Sequence, residues 1–324
     1  MIYLNQEHLE ELGLAWNEIF EALKEGVLAL GENDFSQPVK PYLRYRNPLN
    51  RIIAMPAFLG GETNMAGLKW IASFPENIEN GTPRAHSVTI LNEADTGKPL
   101  SIINTAYASI VRTTGVTGLF IDEYFRKKGI KPEGKLKVGM TGFGPIGRMH
   151  ARMLHNKFGE YIDSIKVYDL KFEHGEKPES PYSEYLTACN SWEEAFADAD
   201  IFVTCTVSKA PYIDRKPKKG SLHLNVSLRD YTPSFREHVD LMIVDDWEEI
   251  CRENTDIENM HKEGLLNKDE THNISDYITR EELDRIPADQ TVMFNPMGMA
   301  IFDVATGGYL YRKALENKVG VELT

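Results

Sequence analysis

Residues 15–31, AWNEIFEALKEGVLALG, place apolar side chains at helical spacing and stop at Gly31, so they predict an amphipathic helix. Beyond it the hydrophobic positions gather into short runs: YLRYR, RIIAMP, GLKWIASF, SVTILN and LSIIN. Gly, Pro, Asn and Asp separate these runs, which predicts a mainly antiparallel sheet. In YLRYR the alternation would put Tyr42, Arg44 and Arg46 on one face of a strand. TAYASIVRTTGVTGLFIDEYFRKKG then reads as one long helix ending at Gly129, with IKPEGK after it as a hinge.

From Leu136 the pattern changes. LKVGMT, SIKVYD, IFVTCT, LHLNVS and LMIVDD are β-branched-rich runs separated by helical stretches such as 191–199. Strands alternating with helices predict parallel strands covered on both faces, a Rossmann-type doubly wound sheet. TVMFNPMGMAIFDVATGGYLYRKALEN adds a strand, a tight turn and a last helix that would return to the first domain. The expected α/β architecture is a doubly wound parallel sheet inserted in a discontinuous α+β domain. Its boundaries are 1–116 plus 299–324 for the outer domain and 117–298 for the inserted one.

Within KVGMTGFGPIGRMHARML, Gly142-x-Gly144-x-x-Gly147 follows a strand and opens a helix. Gly142 would permit the tight turn, Gly144 the approach of a pyrophosphate, and Gly147 close packing of helix on strand. Pro145 and Ile146 lie inside the same turn, where the helix N-terminus offers N–H groups to an anion. The next strand ends in Asp169, whose carboxylate would accept from ribose hydroxyls and repel a 2′-phosphate, favouring NAD over NADP. Lys171 tempers that preference. A structural glycine turn beside a capping Asp is the plainer alternative. Thr206, after another parallel strand, either lines the same crevice or is a buried strand threonine.

Composition narrows the function classes. A formal charge of −13 argues against a nucleic-acid or anionic-membrane surface. No apolar run reaches bilayer-spanning length, and the N-terminal MIYLNQEHLEELG has neither a basic nor an apolar leader region, so a cytoplasmic protein is expected. Three cysteines, Cys189, Cys205 and Cys251, show no metal spacing and read as packing residues, with no metal expected. The acidic stretch DDWEEICRENTD at 245–256 reads as solvated, with Asp245 ending a strand. His150 reads as structural. His86 and Arg84 could approach cofactor or substrate, or simply face solvent.

Three cations stand in unusual company. Lys69 interrupts the apolar run GLKWIASF, where burial is costly without an anion. Arg112 lies in a helix among Ser109, Thr113, Thr114 and Gly115, and Arg44 shares the face described above. Snorkelling or salt-bridged side chains and a clamp for carboxylates weigh equally on this evidence.

The series RYR, RIIAMP, GLKWIASF, IVRTTGVTG, VGMTGFGPIG, VTCTV, NVSLRD and NPMGMAIFD resembles the ornithine cyclodeaminase/mu-crystallin family along nearly the whole chain. PVKPYLR, RIIAMPAFLGGE and VDDWEEICRE resemble in particular a dehydrogenase branch serving siderophore and antibiotic pathways. The resemblance implies a homodimer whose outer domain binds substrate and dimerises while the inserted domain binds NAD. It implies a catalytic carboxylate at Asp230 with Lys69 beside it in the catalytic set. Arg44, Lys69 and Arg112 would hold substrate carboxylates, Arg112 also near the cofactor, and Pro296 and Met297 would form the turn at the nicotinamide, Met297 reaching substrate. The implied reaction is NAD-dependent oxidative cleavage of a glutamate–diaminopropionate conjugate. Departures from the cyclodeaminases are Leu228, Arg229 and Tyr231 around Asp230, and Pro296 where those enzymes carry serine. They weigh against ornithine as substrate. A lyase making proline and ammonia from ornithine, and a mu-crystallin-like imine reductase or binding protein, are the alternatives.

Overall fold

The structure is a computed structural model that describes residues 1–174 and 183–324. The chain divides into two compact units, Met1–Val116 with Gly298–Thr324, and Thr117–Met297. The division falls inside the helix Ala106–Lys128, and IKPEGK, within the second unit, holds a short turn at Pro132–Gly134. Gly129, with φ +63°, ends the helix. Gly298, expected in the inserted domain, clusters with the first unit, where Lys40 Nζ donates to its carbonyl at 2.9 Å.

In the first unit a sheet runs Val321–Glu322, Ile2–Leu4, Pro99–Asn104, Ala85–Glu93, Met65–Ser73, Arg51–Leu59 and Phe35–Ser36. The four middle strands from Arg51 to Asn104 pair antiparallel, as their turn-punctuated pattern predicts. Ile2–Leu4, which no sequence pattern announced, pairs parallel with Pro99–Asn104 and buries Leu4 completely. The helix Ala300–Asn317 packs on the three longest strands and on the helix Trp16–Glu32. Ile19, Leu23, Ile301, Phe302 and Leu310 are fully buried in these helices, each contributing about 1.5–3 kcal/mol. The opposite sheet face pairs Pro56 with Leu68, Ile90 and Ile102 across four strands, and Ala54 with Trp70 and Val88. These side chains are only partly covered, and Trp70 is 42% exposed.

One predicted strand is much shorter than expected. Only Tyr42–Leu43 pairs, and Arg46 adopts a left-handed φ of +57° before the Asn47-Pro48 turn. Asn47 organises that turn, its carbonyl accepting from Asn50 N–H at 3.1 Å and its side chain from Leu49 N–H at 3.0 Å. Tyr42, Arg44 and Arg46 therefore do not share a strand face. Arg44 is exposed with its guanidinium 4.9 Å from the Tyr42 ring centre.

The second unit holds a parallel sheet in the order Leu186–Ala188, Ile162–Tyr168, Leu136–Thr141, Ile201–Thr204, Leu222–Asn225, Val292–Asn295, Leu241–Val244 and Thr271–Asn273. Burial on both faces explains the near-continuous hydrophobic runs. Val138, Met140, Val203, Leu224, Ile243 and Phe294 are essentially inaccessible. The acidic stretch 245–256 is not a solvated face. Asp245, Glu249 and Asp256 are all buried, and Asp245 Oδ1 accepts from the N–H groups of Asp246 and Met297. Among the described residues no helix is long and apolar enough to cross a membrane.

Candidate active site

The strand order of the second unit reverses between Leu136–Thr141 and Ile201–Thr204, which is where such sheets open a ligand crevice at their carboxyl ends. The glycine loop sits at that point. Gly142 has φ +87°, and a Cβ there would fall 2.5 Å from the Cys205 carbonyl oxygen. A Cβ on Gly147 would fall 2.2 Å from the Gly142 oxygen, so only glycine lets the helix start this close to the strand. Above Gly144 a Cβ would meet nothing within 4 Å. Gly144 caps the helix Pro145–Phe158, and Pro145 takes the first helical position, where its missing N–H costs nothing. Asp169 accepts from Phe143 N–H at 2.6 Å and Lys171 N–H at 3.1 Å, tying the loop to the next strand. Closed glycine packing, an open surface at Gly144 and an acid at the second strand end fit a dinucleotide.

Inside this helix His150 is fully buried, with Nδ1 2.9 Å from the Ile146 carbonyl and Nε2 2.7 Å from Thr117 Oγ1. Burial pulls its pKa down to about 4, so the ring is neutral and its contacts are structural. His86 is exposed on its strand.

Next to the glycine loop stands Asp230. The Thr206 amide lies 2.8 Å from where a Gly142 Cβ would be, and the Thr206 hydroxyl donates to Asp230 Oδ1. Ser227 Oγ donates to the other carboxylate oxygen. The Asp230 carbonyl accepts from the N–H groups of Tyr212 and Ile213, both at 2.8 Å. Asp230 is inaccessible, whereas Thr206 and Ser227 are half-buried. Burial pushes its pKa up to about 6, with hydrogen bonds from Thr206, Tyr212 and Thr204 pulling the other way. A carboxylate tuned to that range exchanges protons readily near neutral pH. Asn225, at the end of the adjacent strand, accepts from Thr204 Oγ1 and Leu228 N–H and donates to Asp256 and Asn295. Pro296 is buried directly after the neighbouring strand, and Met297 is held by Asp245 through its N–H at 3.0 Å.

The first unit assembles a separate cluster of charge. Lys69 lies on the inward row Met55, Lys69, Thr89 and Ile103, and is 2% exposed. Its Nζ is 2.8 Å from Asp303 Oδ2 and 3.3 Å from Ser109 Oγ. Arg112 Nε pairs with Asp303 Oδ1 at 2.9 Å, while its terminal nitrogens face Gly298, where a Cβ would come within 2.6 Å of one of them. Burial lowers the Lys69 pKa to about 7, partly restored by Asp303 and lowered further by the Arg112 and Lys40 charges. Burial works to raise Asp303, but the Arg112 and Lys69 charges prevail and hold it below the ordinary carboxylate range. Lys40, Lys69 and Arg112 share this buried place with the Asp303 carboxylate.

Lys69 and Arg112 are thus brought together, and the Arg44 guanidinium lies over the Tyr42 ring. Sequence reasoning missed Asp303 and Lys40. Asp303 offered a signal, a charge in the apolar run AIFDVA, whereas Lys40 in QPVKPYL offered none.

The ornithine cyclodeaminase/mu-crystallin family model matches residues 3–318. An N-((2S)-2-amino-2-carboxyethyl)-L-glutamate dehydrogenase of Staphylococcus aureus is 31% identical, the alignment covering 100% of this chain and 98% of the relative. Among solved structures, Thermococcus litoralis Δ1-pyrroline-2-carboxylate reductase in complex with NADH and L-proline superposes with a TM-score of 0.85 at 21% identity, over 100% of both chains. An archaeal alanine dehydrogenase dimer with bound NAD gives a TM-score of 0.83 at 24% identity, over 100% of this chain and 99% of that one. These two likenesses concern the fold.

Proposed function

The chain belongs to the ornithine cyclodeaminase/mu-crystallin family, and from that premise we propose that it is an NAD-dependent oxidoreductase acting on the C–N bond of an amino-acid conjugate. The substrate is N-(2-amino-2-carboxyethyl)-L-glutamate, and the products are 2-oxoglutarate and L-2,3-diaminopropionate. The observation that carries the reading is the linkage of Asp230, through the Thr206 hydroxyl, to the glycine loop.

Gly142, Gly144, Gly147 and Asp169 would hold NAD, which would supply the acceptor for the hydride of the glutamate Cα. Asp230 removes the proton of the secondary ammonium, freeing the lone pair that stabilises the developing C=N bond. Thr206 and Ser227 orient its carboxylate for that task. Once it has released that proton to solvent, the same group takes a proton from the water that adds to the iminium and returns it to the departing amine. Arg112 and Lys69 hold carboxylates of the conjugate, and Asp303 fixes both cations in place. Supplying the conjugate with NAD should yield NADH and 2-oxoglutarate in equal amounts. Proline formed from ornithine without net NADH would identify a cyclodeaminase instead.

The cradle supports NAD binding through packing that one methyl group disrupts. Gly147→Ala would set a Cβ 2.2 Å from the Gly142 oxygen, and NAD affinity in a fluorescence titration should fall at least about tenfold, equivalent to ~1.4 kcal/mol. Wild-type affinity in that variant would remove the loop from the cofactor site.

The open sheet face supports a homodimer, as the alanine dehydrogenase relative forms. Pro56, Leu68, Ile90, Ile102 and Trp70 make a contiguous, partly exposed apolar patch that a second copy would cover. Light scattering should give twice the chain mass for the wild type and the chain mass for Leu68→Asp. A wild-type monomer would contradict the dimer.

A further inference from the structure

We propose that Asp256 is a positioning residue for Asp230, its buried carboxylate holding the loop 225–231 in the conformation that presents the catalytic group. The inference rests on the reading of Asp230 given above. Asp256 opens the helix Asp256–Lys262 and is 1% exposed. An acid at that position ordinarily serves a helix N-terminus, but here Thr255 does so, its hydroxyl accepting from Glu258 N–H at 3.1 Å. The Asp256 carboxylate turns instead to the neighbouring loop. Its Oδ2 accepts from Asn225 Nδ2 at 3.0 Å and from the backbone N–H groups of Asp230 and Tyr231, both at 3.2 Å. Its own N–H donates to the Leu228 carbonyl at 2.9 Å. With Tyr212 and Ile213 on the Asp230 carbonyl, the Asp230 backbone is gripped from both sides.

The loop needs such a grip. Leu228 has a φ of +61°, and just before Asp256, Glu253 and Asn254 have φ of +64° and +57°. Left-handed backbone at non-glycine residues persists only where its surroundings over-determine it, and it clusters at functional sites. The other carboxylate oxygen, Oδ1, is buried with no hydrogen-bond partner among the described residues. Burial, and then the charge of Asp230, raise the Asp256 pKa to about 7, despite hydrogen bonds from Tyr231 and Asn225. The Asp256 carboxylate is thus tied to the backbone on both sides of the Asp230 side chain, through the Asp230 and Tyr231 N–H groups.

The test compares full-length wild type with Asp256→Asn, Asp256→Ala and Asp256→Glu, with Asp230→Asn as control. It measures kcat and KM for NADH formation, NAD affinity, and deuterium exchange in peptides spanning 225–231. Asn keeps an acceptor oxygen and should retain near-normal kcat and exchange. Ala should lose kcat by about 10²-fold, the penalty of misplacing a catalytic group, with KM and NAD affinity unchanged and faster exchange at 225–231. Should Ala fail to fold, Glu decides: it shifts the acceptor by one methylene, and a lowered kcat with KM retained supports the role. Wild-type kcat per NAD-binding site in Ala or Glu would overturn it, as would a kcat loss no larger than the loss of NAD-binding protein. If Asp230→Asn itself keeps full turnover, the reading of Asp230 fails. Exchange alone then decides whether Asp256 holds the loop: faster in Ala supports it, unaltered overturns it.

Discussion

Asp230→Asn lowers kcat by about 10²–10⁴-fold while NAD affinity stays at the wild-type value. Asparagine matches aspartate in shape, offers its oxygen to one of the Thr206 and Ser227 hydroxyls and its NH2 to the other, which can turn to accept, so the loop and the glycine turn keep their packing. What disappears is the ability to take a proton. Stability should move the other way. Burial raises the Asp230 pKa from 3.8 to about 6, so the folded state binds this proton more tightly than the unfolded chain. Between those values stability falls as pH rises, and the loss is complete above about pH 6, on the order of 3 kcal/mol for a shift of this size. Asn removes that dependence. Thermal unfolding at pH 5 and pH 8 should therefore show a smaller difference in the variant than in the wild type. In the wild type, kcat/KM should rise with pH through about 6 as the base ionises. Unchanged turnover in Asp230→Asn would take the residue out of the chemistry.

Arg112→Met raises substrate KM by about 10²-fold and destabilises the fold by up to about 3 kcal/mol, because a buried carboxylate loses one of its two cationic partners. That carboxylate is Asp303, left with Lys69. A second substitution separates the two effects. Arg112→Met combined with Asp303→Asn removes the uncompensated carboxylate charge and keeps an oxygen for Lys69 Nζ, so thermal stability should return in part while the high KM persists. Arg112→Lys keeps the charge but loses the planar fork, and should recover only part of the affinity. Wild-type KM in the double variant would show that Arg112 serves the Asp303 pair and not the substrate.

The parallel sheet and its glycine turn were legible in the sequence because both obey short-range rules. Strands buried on two faces must be continuously apolar, and Gly142 and Gly147 stand where a Cβ would collide with backbone. The charge cluster was legible only in part. Lys69 and Arg112 stood out against small and apolar neighbours, but Lys40 is recruited over 258 residues by the Gly298 carbonyl, a distance no local pattern spans. The alternation in YLRYR misled because the Asn47-Pro48 turn ends the strand at Leu43. DDWEEICRENTD misled for a related reason. Acids that bind backbone N–H groups look, in sequence, like acids that face water, and only the folded loop shows Asp245 and Asp256 doing the former.

Hydride leaving the glutamate Cα for NAD is the central claim, and isotope transfer tests it most directly. N-(2-amino-2-carboxyethyl)-L-glutamate deuterated at the glutamate Cα should give NADH carrying one deuterium for every 2-oxoglutarate released. Deuterium lost to solvent, or 2-oxoglutarate formed without labelled NADH, would contradict it.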